Sequence, residues 1–483
     1  MRKLLLLLVV GLAMMSVTRA AAVLADRQLV GFPKTTANPP FRNWHRLTVV
    51  GDQMFLNRTS AELFSGLREL HPRTLELTSD LPLAGVHEQL AGLLELSAWG
   101  PLLVYFSAVG DGLVALVAYP VSFPPPQAQF LILVDRQQWP KVIAVYPLGK
   151  IQDPRAGEGP SYLSGAAFLG DRLFLGLPRW PGPGDQLEEP LISSGLGEFS
   201  APGLPPRNFP STDFKSTTTD DLRFIGGNLV AFHAVDRFNL DWLTAWRERN
   251  GAWELVWKRS LPGWNDDVLS TVPDHFVGEH GEGFWVTGDS RPIQDVAGLR
   301  PPLSWIRLAD GETRPWTNRP GHEVPFSNYS GTVFRDTVIL ANDQRTATFT
   351  LTQVGTNAVP GIVALDPETR TVLPWRPVDS LVGQNGLSLL GTERYLLIAT
   401  GTDLRAYTER GAVWLDPVGT TGSELRLRLT GTQGDRVVVE SSGDLRQWEE
   451  MSVRELLTEA DLDVVVPTTA ESRWFRARVV ESP

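Results

Sequence analysis

The chain reads as an all-β protein, a seven-bladed β-propeller followed by a small C-terminal β-sandwich. Three observations predict this. An apolar strand, a Gly/Asp-type turn and a second apolar strand recur at a spacing near 57 residues. A second hairpin turn follows most of these units, giving about four strands per repeat. Gly (44) and Pro (37) are both abundant among 483 residues, which suits many short strands joined by turns.

Residues 1–25 come first. Met1-Arg2-Lys3 is basic, Leu4 to Met15 is apolar, and small residues follow at Ala20-Ala21-Ala22 and Val23-Leu24-Ala25. That order is a secretory signal peptide, and Arg19 interrupts the apolar run too early for a membrane anchor. The predicted destination is outside the cytoplasm: extracellular, cell-surface or periplasmic. The chain has no cysteine, so an exported fold must rest on burial rather than disulfides. Formal charge is −11, and removing Arg2, Lys3 and Arg19 with the signal leaves −14. An acidic chain without a basic run is a poor ligand for nucleic acid or anionic membrane surfaces.

Residues 26–40 are polar and Pro-containing and read as an extended connector. The propeller is expected over 41–417. Its repeated turns fall at Gly51, Gly110, Gly170, Gly226, Gly281, Arg335 and Gly391, at intervals of 59, 60, 56, 55, 54 and 56. The second turns fall at Asp135, Asn250-Gly251, Asp310-Gly311, Asp366 and Arg410-Gly411; Asn-Gly and Asp-Gly between apolar strands signal hairpins. A fixed period of four-stranded units marks a propeller, whose blades cannot bury their faces without neighbours. The strand around Trp44 to Val50 is the candidate to complete the last blade and close the ring. Two segments interrupt the pattern. Leu177 to Pro210 is Pro/Gly-rich, and Leu81 to Leu96 has helical spacing weakened by Gly85 and Gly92. Past Pro417 the period stops, and 422–483 reads as a separate small β-sandwich, with Leu425, Leu427 and Leu429 alternating with charged residues.

Two resemblances sharpen this picture. Ala364, Asp366, Thr369 and Trp375 match in order the tryptophan-docking repeat of quinoprotein-type propellers, with Arg370 in place of the motif's glycine and the Trp one residue late. Ala309, Asp310, Thr313 and Trp316 form a more compressed version. The resemblance implies a propeller in which the Trp packs between blades; it implies no quinone cofactor. The segments Val438 to Trp448 (E-x-S-x-D-L-x-x-W) and Arg473 to Arg478 are similar to a fibronectin-like module at the ends of large secreted bacterial proteins. That similarity implies an accessory sandwich with no catalytic role.

No catalytic constellation stands out. The seven histidines are scattered, and His275 and His280 lack a third ligand for zinc. There is no G-x-S-x-G elbow. Gly278 to Gly283 is Gly-rich but precedes a strand, so it reads as a tight turn rather than a phosphate cradle. Carboxylate pairs occur at Glu188-Glu189, Asp220-Asp221 and Asp266-Asp267; each also fits a solvated loop, and only spatial separation tests a glycosidase pair. Asp266 and Asp267, beside Trp264 and Asn265, could hold Ca²⁺ or stack a sugar; no other cofactor is expected. Trp180, in the Pro-rich insertion, and Trp264 are the tryptophans least explained by core packing. The expected ligand residues are therefore Trp180, Trp264, Asp266 and Asp267. The expected function is non-catalytic: an exported protein whose propeller face binds a glycan or protein partner. The alternative is an exported propeller enzyme acting on an extracellular polysaccharide or other polymer.

Overall fold

In the computed structural model, strands dominate, and the described residues are 27–29, 47–51, 53–60, 63–72, 77–93, 102–120, 127–151, 165–176, 196–200, 202, 205–210, 217–235, 241–261, 276–287, 303–317, 319–320, 329–342, 362–373, 388–399, 404–407, 413–421, 424–430, 436–455, 461–467 and 474–481. The expected signal peptide lies outside them. Strand β1 is Arg27–Leu29. Blade 1 is β2 (Leu47–Val50), β3 (Gln53–Ser60), β4 (Leu63–Leu70) and β5 (Leu77–Pro82). Helix α1 (Ala84–Leu93) follows it. Blade 2 is β6 (Leu102–Val109), β7 (Leu113–Pro120), β8 (Gln127–Asp135) and β9 (Val142–Ile151). Blade 3 is β10 (Ala166–Leu169), β11 (Arg172–Gly176), β12 (Leu196–Phe199) and β13 (Arg207–Asn208). Blade 4 is β14 (Thr217–Ile225), β15 (Asn228–Val235), β16 (Asp241–Arg249) and β17 (Ala252–Leu261). Blade 5 is β18 (Phe276–His280), β19 (Gly283–Thr287), β20 (Leu303–Arg307) and β21 (Thr313–Pro315). Blade 6 is β22 (Tyr329–Phe334), β23 (Thr337–Asn342), β24 (Ile362–Asp366) and β25 (Thr371–Leu373).

Blade 7 is built from both ends of the propeller: β26 (Ser388–Gly391), β27 (Leu396–Ala399) and β28 (Leu404–Tyr407), with β1 as its outer strand. Leu29 pairs with Leu404 and Arg27 with Ala406. The ring therefore closes through Arg27–Leu29, inside the segment expected to be a connector. The expected closing strand near Trp44 to Val50 instead opens blade 1. The reason is length: a four-residue strand followed by the Gly51 turn pairs with its own neighbour β3 first.

Burial follows the same plan. Strand alternation sends successive side chains to opposite faces of a blade, and both faces are covered. In β7, Val114, Leu116 and Ala118 join a cluster with blade 1, whereas Ala115 and Val117 join one with blade 3. Seven apolar clusters sit between consecutive blades, one of them joining Leu397, Leu404 and Ala406 of blade 7 to Leu47, Met54 and Leu56 of blade 1. Each fully buried Leu or Phe in such a cluster contributes about 1.5–3 kcal/mol. Trp316, of the compressed Asp310 hairpin, is 2% exposed and packs edge-on to Trp285, 5.8 Å between rings, in the cluster between blades 5 and 6. Trp375 lies outside the described residues.

The helix forms despite its glycines because packing overrides propensity. Val86 and Leu90 are buried, Gln89 accepts the Val142 N–H at 2.9 Å, and a Cβ on Gly85 would lie 2.6 Å from the Pro140 ring.

The chain ends in a sandwich of two three-stranded sheets: β29 (Trp414–Thr421), β30 (Glu424–Thr430) and β33 (Asp461–Pro467) against β31 (Arg436–Ser442), β32 (Glu449–Glu455) and β34 (Trp474–Glu481). Leu427, Leu429, Val437, Val439 and Val464 form its core. It starts at Trp414, before Gly422, because β29 pairs with β30. The expected hairpin at Arg410-Gly411 lies outside the described residues. The two terminal motifs meet: Glu440 is held by Arg476 Nε at 2.7 Å and Arg478 Nε at 2.9 Å. These guanidinium groups, Arg478 first, keep its carboxyl below the usual carboxylate range. Trp448 lies 4.0 Å from the Arg476 guanidinium, and Asp444 Oδ1 accepts the Arg446 and Gln447 N–H groups at 2.8 Å each. Among the described residues no helix is long and apolar enough to cross a membrane.

Candidate active site

The first strand of each blade is its innermost. β2, β6, β10 and β14 together wall a cavity of about 340 Å³, the channel at the ring's centre, with Ser107, Ala167, Phe168 and Arg223 among its lining. Antiparallel pairing within every blade puts the tight turns, first to second strand and third to fourth, at one end of the ring. Gly51, Gly170, Gly226 and Gly281, each with positive φ, mark that end. The second-to-third connections and the crossings between blades all leave from the other end. The longest connections share it, including 177–195 in blade 3 and 262–275 between blades 4 and 5.

Trp180 lies in the first of these connections, and Trp264, Asp266 and Asp267 in the second. All four lie outside the described residues. Glu188-Glu189 shares the connection of Trp180. The third carboxylate pair is on a strand. In β14, Thr219 pairs with His233 and Asp221 with Phe232, so Asp220 is the extra residue of a β-bulge on the inner wall, in the half of the strand nearest the long connections. Bulges interrupt a ladder and re-aim side chains, and they concentrate beside functional sites. A second inner-wall bulge makes Tyr105 the extra residue of β6, opposite no residue of β7. Sequence reading passed over Tyr105, since a bulge leaves no residue-type signature in an apolar strand.

Asp221 is 1% exposed and committed to local structure: its Oδ1 accepts the Leu222 N–H at 2.9 Å, and Arg223 Nε lies 3.8 Å away. A Cβ on Gly165 of blade 3 would lie 2.8 Å from the Asp221 Cα, so only glycine admits this approach of blade 3 to blade 4. One strand over, His233 is buried, its Nε2 2.8 Å from Thr244 Oγ1, which also accepts the Trp246 indole N–H at 3.0 Å. Burial, then the charge of Lys258, pushes the imidazole down to about 3, so it is neutral at physiological pH. Lys258 itself lies 4.5 Å over the Trp242 ring.

The other buried carboxylate in this region, Glu198, serves the joint of blades 3 and 4. It accepts from Arg172 Nε at 2.7 Å, Arg207 Nη2 at 2.5 Å and the Trp253 indole at 2.9 Å, while Arg172 also holds Glu248 at 2.8 Å. Both of its oxygens are thus tied to the joint between the blades. The Gly278–Gly283 segment is a tight turn, with Gly281 at φ 59° and the His280 carbonyl accepting the Trp305 indole N–H at 3.1 Å. His275 lies outside the described residues. Among the described residues no three His, Asp or Glu side chains are grouped to hold a metal ion.

No protein-family model and no curated protein matches the chain. Solved structures do. Dipeptidyl peptidase 4 of Porphyromonas gingivalis aligns with 80% of this chain and 64% of its own, at 9% identity and a TM-score of 0.34. A xylan β-1,4-xylosidase from Bacillus halodurans C-125 aligns over 91% and 99%, at 12% and 0.32. An oligogalacturonate lyase in complex with manganese aligns over 74% of each chain, at 8% and 0.30. The chain thus spans less than two thirds of the peptidase, and no residue correspondence is taken from any of them. These proteins are enzymes, one named for xylan and one for oligogalacturonate, and on that finding the expectation of a non-catalytic binding protein is corrected. The physical reason it arose is plain. A propeller draws a site from loops far apart in sequence, so the lack of a contiguous motif does not mean the lack of a site.

Proposed function

We propose that the chain is an exported β-propeller enzyme acting on an extracellular polysaccharide at the end of the ring where the long connections gather. One observation carries this reading. The described strands that bound connections 177–195 and 262–275 end on the side of the ring nearest the β14 bulge at Asp220, and the sequence of those connections carries the pairs Glu188-Glu189 and Asp266-Asp267. Trp180 and Trp264 belong to the same two connections. Two carboxyl groups are what glycosidic cleavage asks for, one as acid and one as base or nucleophile, and tryptophan faces suit stacking against sugar rings. Of the six carboxylates, Asp221 is excluded from direct chemistry by its burial. The reading therefore places the reacting carboxyls among Glu188, Glu189, Asp220, Asp266 and Asp267. A Ca²⁺ ion bound at Asp266 and Asp267 belongs to the same proposal, as does a fibronectin-like role for the terminal module.

The test is turnover. The mature chain is assayed for chain scission against a panel of neutral and acidic polysaccharides, with and without EDTA, and each carboxylate is replaced by its amide. At least one replacement should lower kcat by about 10²–10⁴-fold, the usual contribution of a positioned acid or base, with the thermal midpoint unchanged. Product from no polysaccharide, or full activity in all five variants, overturns the reading.

A further inference from the structure

On the outer side of the ring, at its tight-turn end, a cleft of about 650 Å³ opens between blades 1 and 2. Its walls come from three elements. Blade 1 supplies Gln53, Glu69 and Ser79 from one face of its sheet, since Phe55 pairs with Glu69 and Glu69 with Ser79. The turn after β8 supplies Arg136, Gln137 and Trp139, and α1 supplies Gly85 as the floor. The size falls within the range of small-molecule sites, and the lining mixes these polar groups with Leu81, Pro82, Trp139 and Pro140.

Several of these groups are fixed by the fold. The Trp139 indole donates to the Pro82 carbonyl at 2.9 Å, which holds the ring at the cleft wall. Arg136 bonds Gln53 Oε1 and the Asp111 carbonyl, and its guanidinium stacks 5.1 Å over Phe55. The Asp135 carboxylate shapes the turn by accepting the Gln137 and Gln138 N–H groups at 2.9 and 3.0 Å. Other groups are left over. Among the described residues the Glu69 carboxylate, the Ser79 hydroxyl and the Gln137 side-chain amide make no hydrogen bond or ion pair. A fixed indole beside an uncommitted carboxylate, hydroxyl and amide offers an aromatic wall and several donors and acceptors at once. Vicinal hydroxyls on a pyranose ring need that combination. Glu69 and Asp80 outnumber Arg136 among the charged lining, so an anionic ligand meets net repulsion.

We infer that the cleft between blades 1 and 2 binds a neutral saccharide segment, a second contact with the polymer remote from the end that carries the chemistry. The inference rests on the polysaccharide reading above, but its test is binding rather than turnover. The full mature chain is titrated with xylohexaose and cellohexaose, and with hexagalacturonate as the acidic counterpart, by calorimetry. Ser79→Trp fills the cleft, and Glu69→Gln keeps its shape while removing the charge. A neutral hexasaccharide should bind the native chain. Its affinity should fall at least about tenfold in Ser79→Trp, and about threefold or more in Glu69→Gln, each tenfold being 1.4 kcal/mol. Circular dichroism confirms folding, and if Ser79→Trp misfolds, Glu69→Gln carries the test. Equal binding by folded Ser79→Trp, no binding of either neutral probe, or a preference for hexagalacturonate overturns the inference. Activity lost in the carboxylate-to-amide variants with cleft binding intact leaves it standing, and absent turnover with intact cleft binding sinks only the catalytic reading.

Discussion

Arg394, in the tight turn of blade 7, grips Asp416, on the first strand of the sandwich, with both terminal guanidinium nitrogens, Nη2 reaching Oδ1 at 2.6 Å. Both side chains are mostly buried, 12% and 14% exposed. The same guanidinium lies 5.4 Å over the Trp414 ring, and Trp414 in turn packs near Tyr395 on the cluster that joins blade 7 to blade 1. The terminal module is thus seated on the seam where the ring closes, at the end opposite the long connections.

Breaking this pair from one side leaves a largely buried charge uncompensated, a loss of about 3–5 kcal/mol. Arg394→Ala should therefore uncouple the sandwich, so that calorimetry resolves two melting transitions where the native chain shows one. Asp416→Ala should do the same, and the double variant should lose less than the sum of the two. A single unshifted transition in both single variants would show that the contact carries no coupling.

Ring closure gives a second expectation. Without Arg27–Leu29, blade 7 keeps three strands and β28 becomes an open edge. A chain beginning at residue 31 loses a short ladder, about 0.5–1.5 kcal/mol per hydrogen bond, and exposes a pairing edge that invites self-association. Its thermal midpoint should fall, and light scattering should show concentration-dependent association absent from the longer chain. Identical melting and scattering in the two chains would mean that β1 is dispensable.

What the sequence made legible, and what it hid, follows from the range of the forces involved. The blades could be read because each depends on local signals: turn residues such as Asn250-Gly251, both at positive φ, and short unbroken apolar runs such as β7. Ring closure was assigned to the wrong strand because pairing Leu29 with Leu404 is a contact across almost the whole propeller, and a three-residue strand has no periodicity to read. Helix α1 was underrated because Gly85 is a cost in an isolated helix and a requirement against Pro140. The site was least legible. Asp220 was noted as one of a pair, but its special position is a bulge, a property of register that emerges only when β14 meets β15.

His233 should make the protein acid-sensitive. Its folded pKa is about 3, below the ordinary 6.5 of the unfolded chain, so the unfolded state binds the proton first as pH falls. The stability that comes from its neutral burial is complete above pH 6.5 and is lost progressively from there towards pH 3, at up to about 1.4 kcal/mol per pH unit for one proton. His233→Gln, which keeps a partner for Thr244, should flatten the slope of unfolding free energy against pH by about one proton in that window. Equal slopes for the two proteins, from urea melts between pH 4 and 7, would mean that His233 is protonated in the folded state.

Arg370 is the position where the turn chemistry can be improved. Its φ is 57°, in the left-handed region that favours glycine. The turn around it is set by Asp366, whose Oδ1 accepts the Glu368 and Thr369 N–H groups at 2.9 and 3.2 Å, so the backbone holds its shape whatever side chain follows. A non-glycine residue there costs about 1–2 kcal/mol, against about 0.5–1 kcal/mol for the greater freedom of glycine in the unfolded chain. Arg370 is exposed, so little packing is lost with its side chain. Arg370→Gly should stabilise the propeller by up to about 1 kcal/mol, whereas Arg370→Val, β-branched and strained at positive φ, should destabilise it. Arg335, at φ 53°, differs because its guanidinium lies 5.9 Å over Phe334, so Arg335→Gly should gain less. Urea midpoints of the three variants decide the matter: a loss of stability in Arg370→Gly would show that the side chain supports the turn by a contact worth more than the strain it imposes.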